Sequence, residues 1–206
     1  MSGETGTYFR VGDVKSASST PDVPVVNLAN VLTVLRILLI PLFVWVLFRH
    51  GGEDTAWRIG AWAVFAVAMG TDWFDGWYAR SRGLVTDFGK LADPIADKAM
   101  MAAAMIGLSL LGELFWWITI VILVREIGIT IWRLVGVDYV VAASPGGKLK
   151  TAAQTLGVGL LILPLPYWVW PFEWLVMAVA VVLTVYTGVD YLVKARQAAK
   201  QQGGPA

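Results

Sequence analysis

The chain has 206 residues, of which 57% are hydrophobic and 15% charged, and its mean hydropathy is +0.66. Soluble domains carry roughly 45–50% apolar and about 25% charged residues, so this composition predicts an integral membrane protein of one domain. The net charge near +1 gives no reason to expect a nucleic-acid partner. Cysteine is absent from the sequence, which excludes disulfides and thiolate metal sites.

Six stretches are apolar enough for membrane-spanning helices, which need about 20 mostly apolar residues. They cover residues 31–48, 57–73, 91–111, 115–134, 149–163 and 172–193. We therefore predict an all-α integral membrane protein with six transmembrane helices. Residues 24–36 are patterned either as an N-terminal interfacial helix that runs into the membrane or as the start of the first span.

Lys and Arg are concentrated at the two termini and in the even-numbered connections between spans. Cytoplasmic loops carry this excess, so we expect both termini in the cytoplasm of a multi-pass plasma-membrane protein. Three regions follow along the chain. We expect residues 1–23 to be a disordered polar tail, residues 24–193 to be the membrane domain, and residues 194–206 to be a cytoplasmic tail, whose polar composition also predicts disorder.

Four aspartates lie at the cytoplasmic ends of the second and third spans. Asp72 and Asp75 are three residues apart and Asp93 and Asp97 four apart, so each pair falls on one helix face. Antiparallel helices would bring all four carboxylates to one depth. Oxygen ligands without His or Cys favour Mg²⁺ or Mn²⁺, and two such cations balance four carboxylates in a site for phosphoryl displacement. The alternative, ion pairs with neighbouring Arg and Lys, leaves the helical spacing unexplained.

The spacing of these residues also carries a family resemblance. Residues 72–97 read D-x2-D-G-x2-A-R-x8-G-x3-D-x3-D, which resembles the signature of the CDP-alcohol phosphotransferases at every fixed position. The resemblance implies that Asp72, Asp75, Asp93 and Asp97 bind two metal ions, and that Asp97 is also the general base. It further implies a homodimer in the lipid bilayer.

The same resemblance implies that CDP-diacylglycerol is the donor. Gly76, Arg80 and Thr86 match positions that contact the CDP part of this lipid. Asn30 and Thr33 lie in or beside the segment where the family holds the cytidine. The Asn30 amide has both donors and acceptors with which to read a base edge.

Basic residues outside the motif predict the acceptor. Arg125 lies inside the fourth span, and Lys148 and Lys150 lie at the start of the fifth. Because adjacent helical residues do not face each other, we expect Glu126 to leave Arg125 facing a bound phosphate, with the two lysines closing the site. The alternative is that the lysines only hold the fifth span at headgroup level.

Four further segments narrow the resemblance to the bacterial phosphatidylglycerophosphate synthases. They read NLANVLTVLRILLIP, TDFGKLADPIADK, VREIGIT and GGKLKTAAQT. This similarity runs from residue 27 to residue 194 and implies glycerol 3-phosphate as acceptor, with phosphatidylglycerophosphate and CMP as products. The nearest alternative is a phosphatidylinositol-phosphate synthase, which also needs an anion site. Alternatives of other kinds are a cation-coupled transporter, whose substrate groups would lie near the bilayer midplane, and an intramembrane prenyltransferase, whose aspartates are spaced differently.

Overall fold

The computed structural model describes the backbone of residues 28–82, 87–134 and 145–202. The predicted tail 1–23, residues 24–27, Thr86 and the last residues of the C-terminal tail lie outside the described residues. Within the described ranges the chain forms α-helices joined by short connections, and it contains no strand there. The prediction of an all-α protein is confirmed.

The described residues contain six α-helices, in the same chain order as the predicted spans. They are α1 (Leu28–Leu47), α2 (Thr55–Arg82), α3 (Asp87–Leu110), α4 (Trp116–Leu134), α5 (Pro145–Ile162) and α6 (Trp170–Gln202). Helix α1 continues without a break from Leu28 through Arg36. In the described part of residues 24–36, the chain is therefore the first turns of α1 and not a separate helix.

The C-terminal tail differs from the prediction. Residues 194–202 were expected to be disordered, but α6 continues through them to Gln202. The physical reason is that Ala, Gln, Lys and Arg are all good helix formers, and extending an existing helix requires no new nucleus. Lys194 also pairs with Asp190 one turn earlier, at 2.7 Å between Nζ and Oδ2. The apolar span therefore ends before these polar residues, but the helix continues through them.

The helices pack around a continuous apolar core to which all six contribute. Its largest fully buried apolar side chains are Phe43, Leu47, Phe65, Met100, Met105, Leu108, Leu114, Ile122, Val158, Ile162 and Met177. Helix α1 packs along α2 and α3, and α5 packs along α6. At the second interface, a Cβ atom added to Gly157 would lie 3.2 Å from Met177 Cε and 3.5 Å from the Met177 backbone. A small residue here lets the two helices approach closely.

Arg58 joins three elements at one end of the bundle. Its Nε donates to the carbonyl of Ile162 at 2.9 Å, and its Nη2 donates to that of Leu161 at 2.6 Å. These carbonyls belong to the last turn of α5, where helical partners are lacking. The guanidinium also binds both carboxylate oxygens of Glu113, in the connection between α3 and α4, at 2.6 and 2.9 Å. The start of α2, the α3–α4 connection and the end of α5 therefore lie together, and the aspartate positions lie toward the other end of α2 and α3.

The outer surface of the bundle carries many large apolar side chains. More than half of the side-chain surface is exposed at Leu38 on α1, Val67 on α2, Val124 on α4 and Val182 on α6. Within the described residues, one helical stretch, Tyr167–Lys194, is long and apolar enough by composition to cross a membrane. Val31–Leu47 and Lys98–Leu110 are apolar but shorter. Soluble proteins rarely expose apolar surface on this scale.

Candidate active site

The aspartate positions lie in two helices that contact each other. Asp72 and Asp75 belong to the second half of α2, and Asp93 and Asp97 belong to the first half of α3. The backbone therefore has the helical spacing on which the metal-site argument depends. The side chains of the four aspartates, of Arg80 and of Asn30 lie outside the described ones, as does the environment of Gly76, so these roles stay predictions.

Helix α1 brings two polar side chains into the bundle interior. Thr33, a predicted donor contact, is fully buried, and Arg36 follows it by one turn and is 1% exposed. Charged residues inside the apolar helices of membrane proteins are rare and usually mark functional sites. Arg36 is thus a candidate functional residue that the sequence analysis missed. The sequence feature that could have identified it is a single Arg inside the apolar run VLTVLRILLIP.

Glu126 on α4 is the centre of an ion cluster. Its carboxylate oxygen Oε1 accepts hydrogen bonds from Arg125 Nη1, at 2.9 Å, and from Lys150 Nζ. The ammonium nitrogen of Lys98 lies 3.9 Å from the other carboxylate oxygen. Three positive groups surround one negative group, so this Glu126 cluster (Lys98, Arg125, Glu126 and Lys150) carries a formal net charge of +2.

The expectation that Glu126 leaves Arg125 unpaired was wrong. Adjacent helical residues point their Cβ atoms in different directions, but a guanidinium on a long side chain reaches back far enough to meet the neighbouring carboxylate. Arg125 also donates from Nη2 to Thr187 Oγ1 on α6, at 3.2 Å. Arg125 therefore links the Glu126 carboxylate on α4 to Thr187 on α6.

The two predicted lysines have different surroundings. Lys150 is 2% exposed and its ammonium group meets Glu126 inside the bundle, whereas Lys148 is exposed. The burial of Lys150 is incompatible with the alternative in which the lysines only hold the fifth span at headgroup level, and the exposure of Lys148 is compatible with both interpretations. Lys98, which the sequence analysis considered only as an ion-pair partner of the aspartates, also bonds Thr130 Oγ1 and thereby joins α3 to α4. The sequence feature that could have identified Lys98 is its position directly after Asp97.

A cavity of about 220 Å³ opens beside this cluster, between α3, α4 and α5. Polar groups of Lys98, Glu126 and Lys150 line one part of it. The rest of the wall is formed by Ala99, Met101, Ala102, Met105, Leu123, Ile127, Thr151 and Gln154. A small cavity with a positive rim and a largely apolar wall can hold a short phosphorylated molecule.

A sequence profile described as CDP-alcohol phosphatidyltransferase matches residues 26–186. The chain belongs to the CDP-alcohol phosphatidyltransferase family. The resemblance found from the aspartate spacing is thereby confirmed. The matched range contains α1 to α5, about the first half of α6, the aspartate positions and the whole Glu126 cluster.

Curated relatives match most of the chain and most of their own length. A Mycobacterium tuberculosis protein named "Probable phosphatidylglycerophosphate synthase" is 50% identical over 159 residues, covering 77% of this chain and 76% of that protein. A Bacillus subtilis protein named "CDP-diacylglycerol–glycerol-3-phosphate 3-phosphatidyltransferase" is 42% identical over 177 residues, covering 79% of this chain and 91% of that protein. An Escherichia coli protein of the same name is 37% identical over 169 residues, covering 77% of this chain and 89% of that protein.

CDP-alcohol phosphatidyltransferases are membrane-associated and generally use a divalent metal ion. The donors that this chain offers fit such an ion, because the motif supplies four carboxylates and no Cys. Among the side chains that the structure describes, no three His, Cys, Asp or Glu residues lie together as a metal site. The aspartates of the motif are outside that set, so they remain the candidate ligands.

Proposed function

We propose that this chain transfers the phosphatidyl group of CDP-diacylglycerol to glycerol 3-phosphate, giving phosphatidylglycerophosphate and CMP in phospholipid biosynthesis. Family membership supports the reaction type, and relatives that carry this activity in their names support the acceptor. The structural observation behind the acceptor is the Glu126 cluster, which places a net charge of +2 beside a small cavity.

The charge of the cluster matches a phosphomonoester. A phosphate monoester carries about −1.5 to −2 charges at neutral pH, so it would balance the cluster inside the bundle. Lys98 and Lys150 line the cavity and would contact the phosphate, while Arg125 fixes Glu126 and adds positive charge. Lys148, exposed two residues before Lys150, would attract the anion at the entrance. A neutral acceptor such as serine or inositol would leave the positive charges uncompensated.

The aspartates of α2 and α3 are the proposed metal site. Asp72, Asp75, Asp93 and Asp97 would hold two divalent cations, Mg²⁺ or Mn²⁺, which when bound would stabilise negative charge on the departing CMP. The chain would position the donor with other residues. These donor contacts are Asn30, Thr33, Gly76, Arg80 and Thr86. Arg80 would bind phosphate oxygens, and Asn30 and Thr33 the cytidine.

The proposed chemical step is a displacement at phosphorus. The free primary hydroxyl oxygen of glycerol 3-phosphate forms a bond to the phosphorus that carries diacylglycerol, and the bond from that phosphorus to CMP breaks. Asp97 accepts the hydroxyl proton, a contribution of about 10²–10⁴ in rate for a positioned base. Asp97 and Lys98 are adjacent in α3, so one short segment would hold both the base and part of the phosphate site.

The surface supports a membrane setting for this chemistry. We propose that the six helices span the plasma membrane as a homodimer, with both termini and the active site facing the cytoplasm. The outward-facing apolar side chains of α1, α2, α4 and α6 support contact with lipid. The excess of Lys and Arg at the termini and in the even-numbered connections supports the orientation.

The experiment that tests this function measures CMP release from CDP-diacylglycerol by detergent-purified protein with Mg²⁺. The acceptor panel contains glycerol 3-phosphate, inositol 1-phosphate, inositol and serine. We expect release with glycerol 3-phosphate alone. Release with inositol 1-phosphate instead would replace the acceptor by that of a phosphatidylinositol-phosphate synthase. No release with any acceptor would contradict the proposed reaction.

A further inference from the structure

One polar side chain in the cavity is not explained by the ion cluster. Gln154 on α5 is 3% exposed and lines the cavity. Within the described part of the chain, its hydrogen bonding consists of one contact, from Nε2 to Met105 Sδ at 4.0 Å. A side-chain amide has two donor hydrogens and a carbonyl acceptor, so most of this capacity is unused by the protein.

The other polar groups of the cavity are engaged. Lys98, Glu126 and Lys150 bind one another in the cluster, and the Thr151 hydroxyl donates to the carbonyl of Gly147 at 3.1 Å. A buried amide without full hydrogen bonding is unfavourable, and an apolar residue of similar size would avoid that cost. Gln154 therefore has hydrogen-bonding groups that the protein leaves for a ligand.

The position of Gln154 defines which part of a ligand it would meet. Gln154 follows Lys150 by four residues on α5, which is about 6 Å along the helix and on the same face. Met101, Met105 and Leu123 also line the cavity and offer no strong hydrogen-bonding group. A short molecule with its phosphate at Lys150 would thus present its carbon chain to an apolar wall that contains one amide.

We propose that Gln154 is a specificity-determining residue, whose amide binds the middle hydroxyl of a three-carbon phosphorylated acceptor. This inference rests on the proposed function and extends it to the recognition of the carbon chain. The phosphate is held by Lys98 and Lys150, and the middle hydroxyl meets Gln154. An acceptor that lacks the middle hydroxyl leaves the amide unsatisfied and is rejected.

The test compares two acceptors that differ by this hydroxyl. Glycerol 3-phosphate and 3-hydroxypropyl phosphate are assayed by CMP release with wild-type protein, Gln154→Leu and Gln154→Met. Thr151→Val is the matched control, because it removes a hydroxyl from the same cavity that is already satisfied by the backbone. Thermal unfolding in detergent verifies that each variant is folded. Two apolar replacements are made so that the test does not depend on the folding of a single variant.

We expect wild-type kcat/KM to be about ten-fold higher for glycerol 3-phosphate than for the deoxy analogue. In Gln154→Leu and Gln154→Met, this ratio should fall close to one, mainly through a higher KM for glycerol 3-phosphate, while Thr151→Val keeps the wild-type ratio. An unchanged ratio in the folded Gln154 variants would overturn this inference and leave the proposed function intact. Failure of wild-type protein to use glycerol 3-phosphate would overturn both.

Discussion

Single residues set the charge and the selectivity of the proposed acceptor site. The Glu126 carboxylate lies among three positively charged side chains. One of them, the buried Lys150, also lines the cavity. Lys148 lies on the same helix but is exposed. Because residues two apart on a helix face different directions, the two lysines differ in environment despite their closeness in sequence.

This difference predicts unequal effects of two matched substitutions. Lys150→Met should raise the KM for glycerol 3-phosphate by about 10–100-fold, since hydrogen bonds to charged groups are worth about 1.5–3 kcal/mol. Lys148→Met should change it by less than about three-fold, because an exposed charge is screened by solvent. Steady-state kinetics with both substrates varied separately would measure this. A KM for CDP-diacylglycerol that rises as much as the acceptor KM in Lys150→Met would contradict the assignment.

At the scale of elements, the bundle has two chemically different ends. At one end Arg58 connects the start of α2, the last turn of α5 and the α3–α4 connection through four hydrogen bonds. Toward the other end, α2 and α3 carry the aspartate positions, and α3, α4 and α5 enclose the cavity. The first end fixes how the helices are arranged, and the second performs the proposed chemistry.

The contacts of Arg58 predict a stability defect without a specific catalytic one. Arg58→Met leaves the partly exposed Glu113 carboxylate and two α5 carbonyls without this partner, which should lower the free energy of unfolding by about 1–3 kcal/mol. Arg49→Met is the control, because the guanidinium of Arg49 is exposed and stacks on Trp45 and Trp57 at 4.3 and 5.4 Å from the ring centroids. Such stacking is worth about 0.5–1 kcal/mol.

Thermal unfolding in detergent would compare the two arginine variants. We expect a clearly lower Tm for Arg58→Met than for Arg49→Met, with the KM values of the folded Arg58→Met protein unchanged because its contacts are far along the bundle from the cavity. Equal Tm values would show that the Arg58 contacts add little to stability.

At the scale of the whole molecule, the arrangement of helices determines which surface meets lipid and which end faces which compartment. The connection between α1 and α2 and the C-terminal end of α6 should lie on opposite sides of the membrane. The exposed residues Glu53 and Lys194 mark these two regions. Since the chain contains no Cys, a single introduced thiol reports its side without interference.

We therefore predict the outcome of labelling with a membrane-impermeant maleimide. Glu53→Cys should react in intact cells, whereas Lys194→Cys should react only after the membrane is permeabilised. Unaltered protein provides the background signal. Labelling of Lys194→Cys in intact cells would reverse the proposed orientation and place the end of the bundle with the aspartates outside the cytoplasm.

The sequence by itself determined the helices and the family. Apolar runs and residue spacing are local properties, so the order of six helices and the aspartate pattern could be read without knowing how the helices pack. The same locality explains the error at the C-terminus. Hydropathy distinguishes apolar from polar residues, and it carries no information on where a polar helix ends, so residues 194–202 were assigned to disorder.

Only the tertiary structure decided which side chains meet. Lys150 reaches Glu126 across 24 residues of sequence, and Arg58 reaches the end of α5 across 104. These pairings depend on the rotation and depth of whole helices against one another, which no local pattern specifies. For that physical reason Arg125 appeared unpaired from sequence, Lys148 and Lys150 appeared equivalent, and Gln154 attracted no notice until α3, α4 and α5 enclosed a cavity around it.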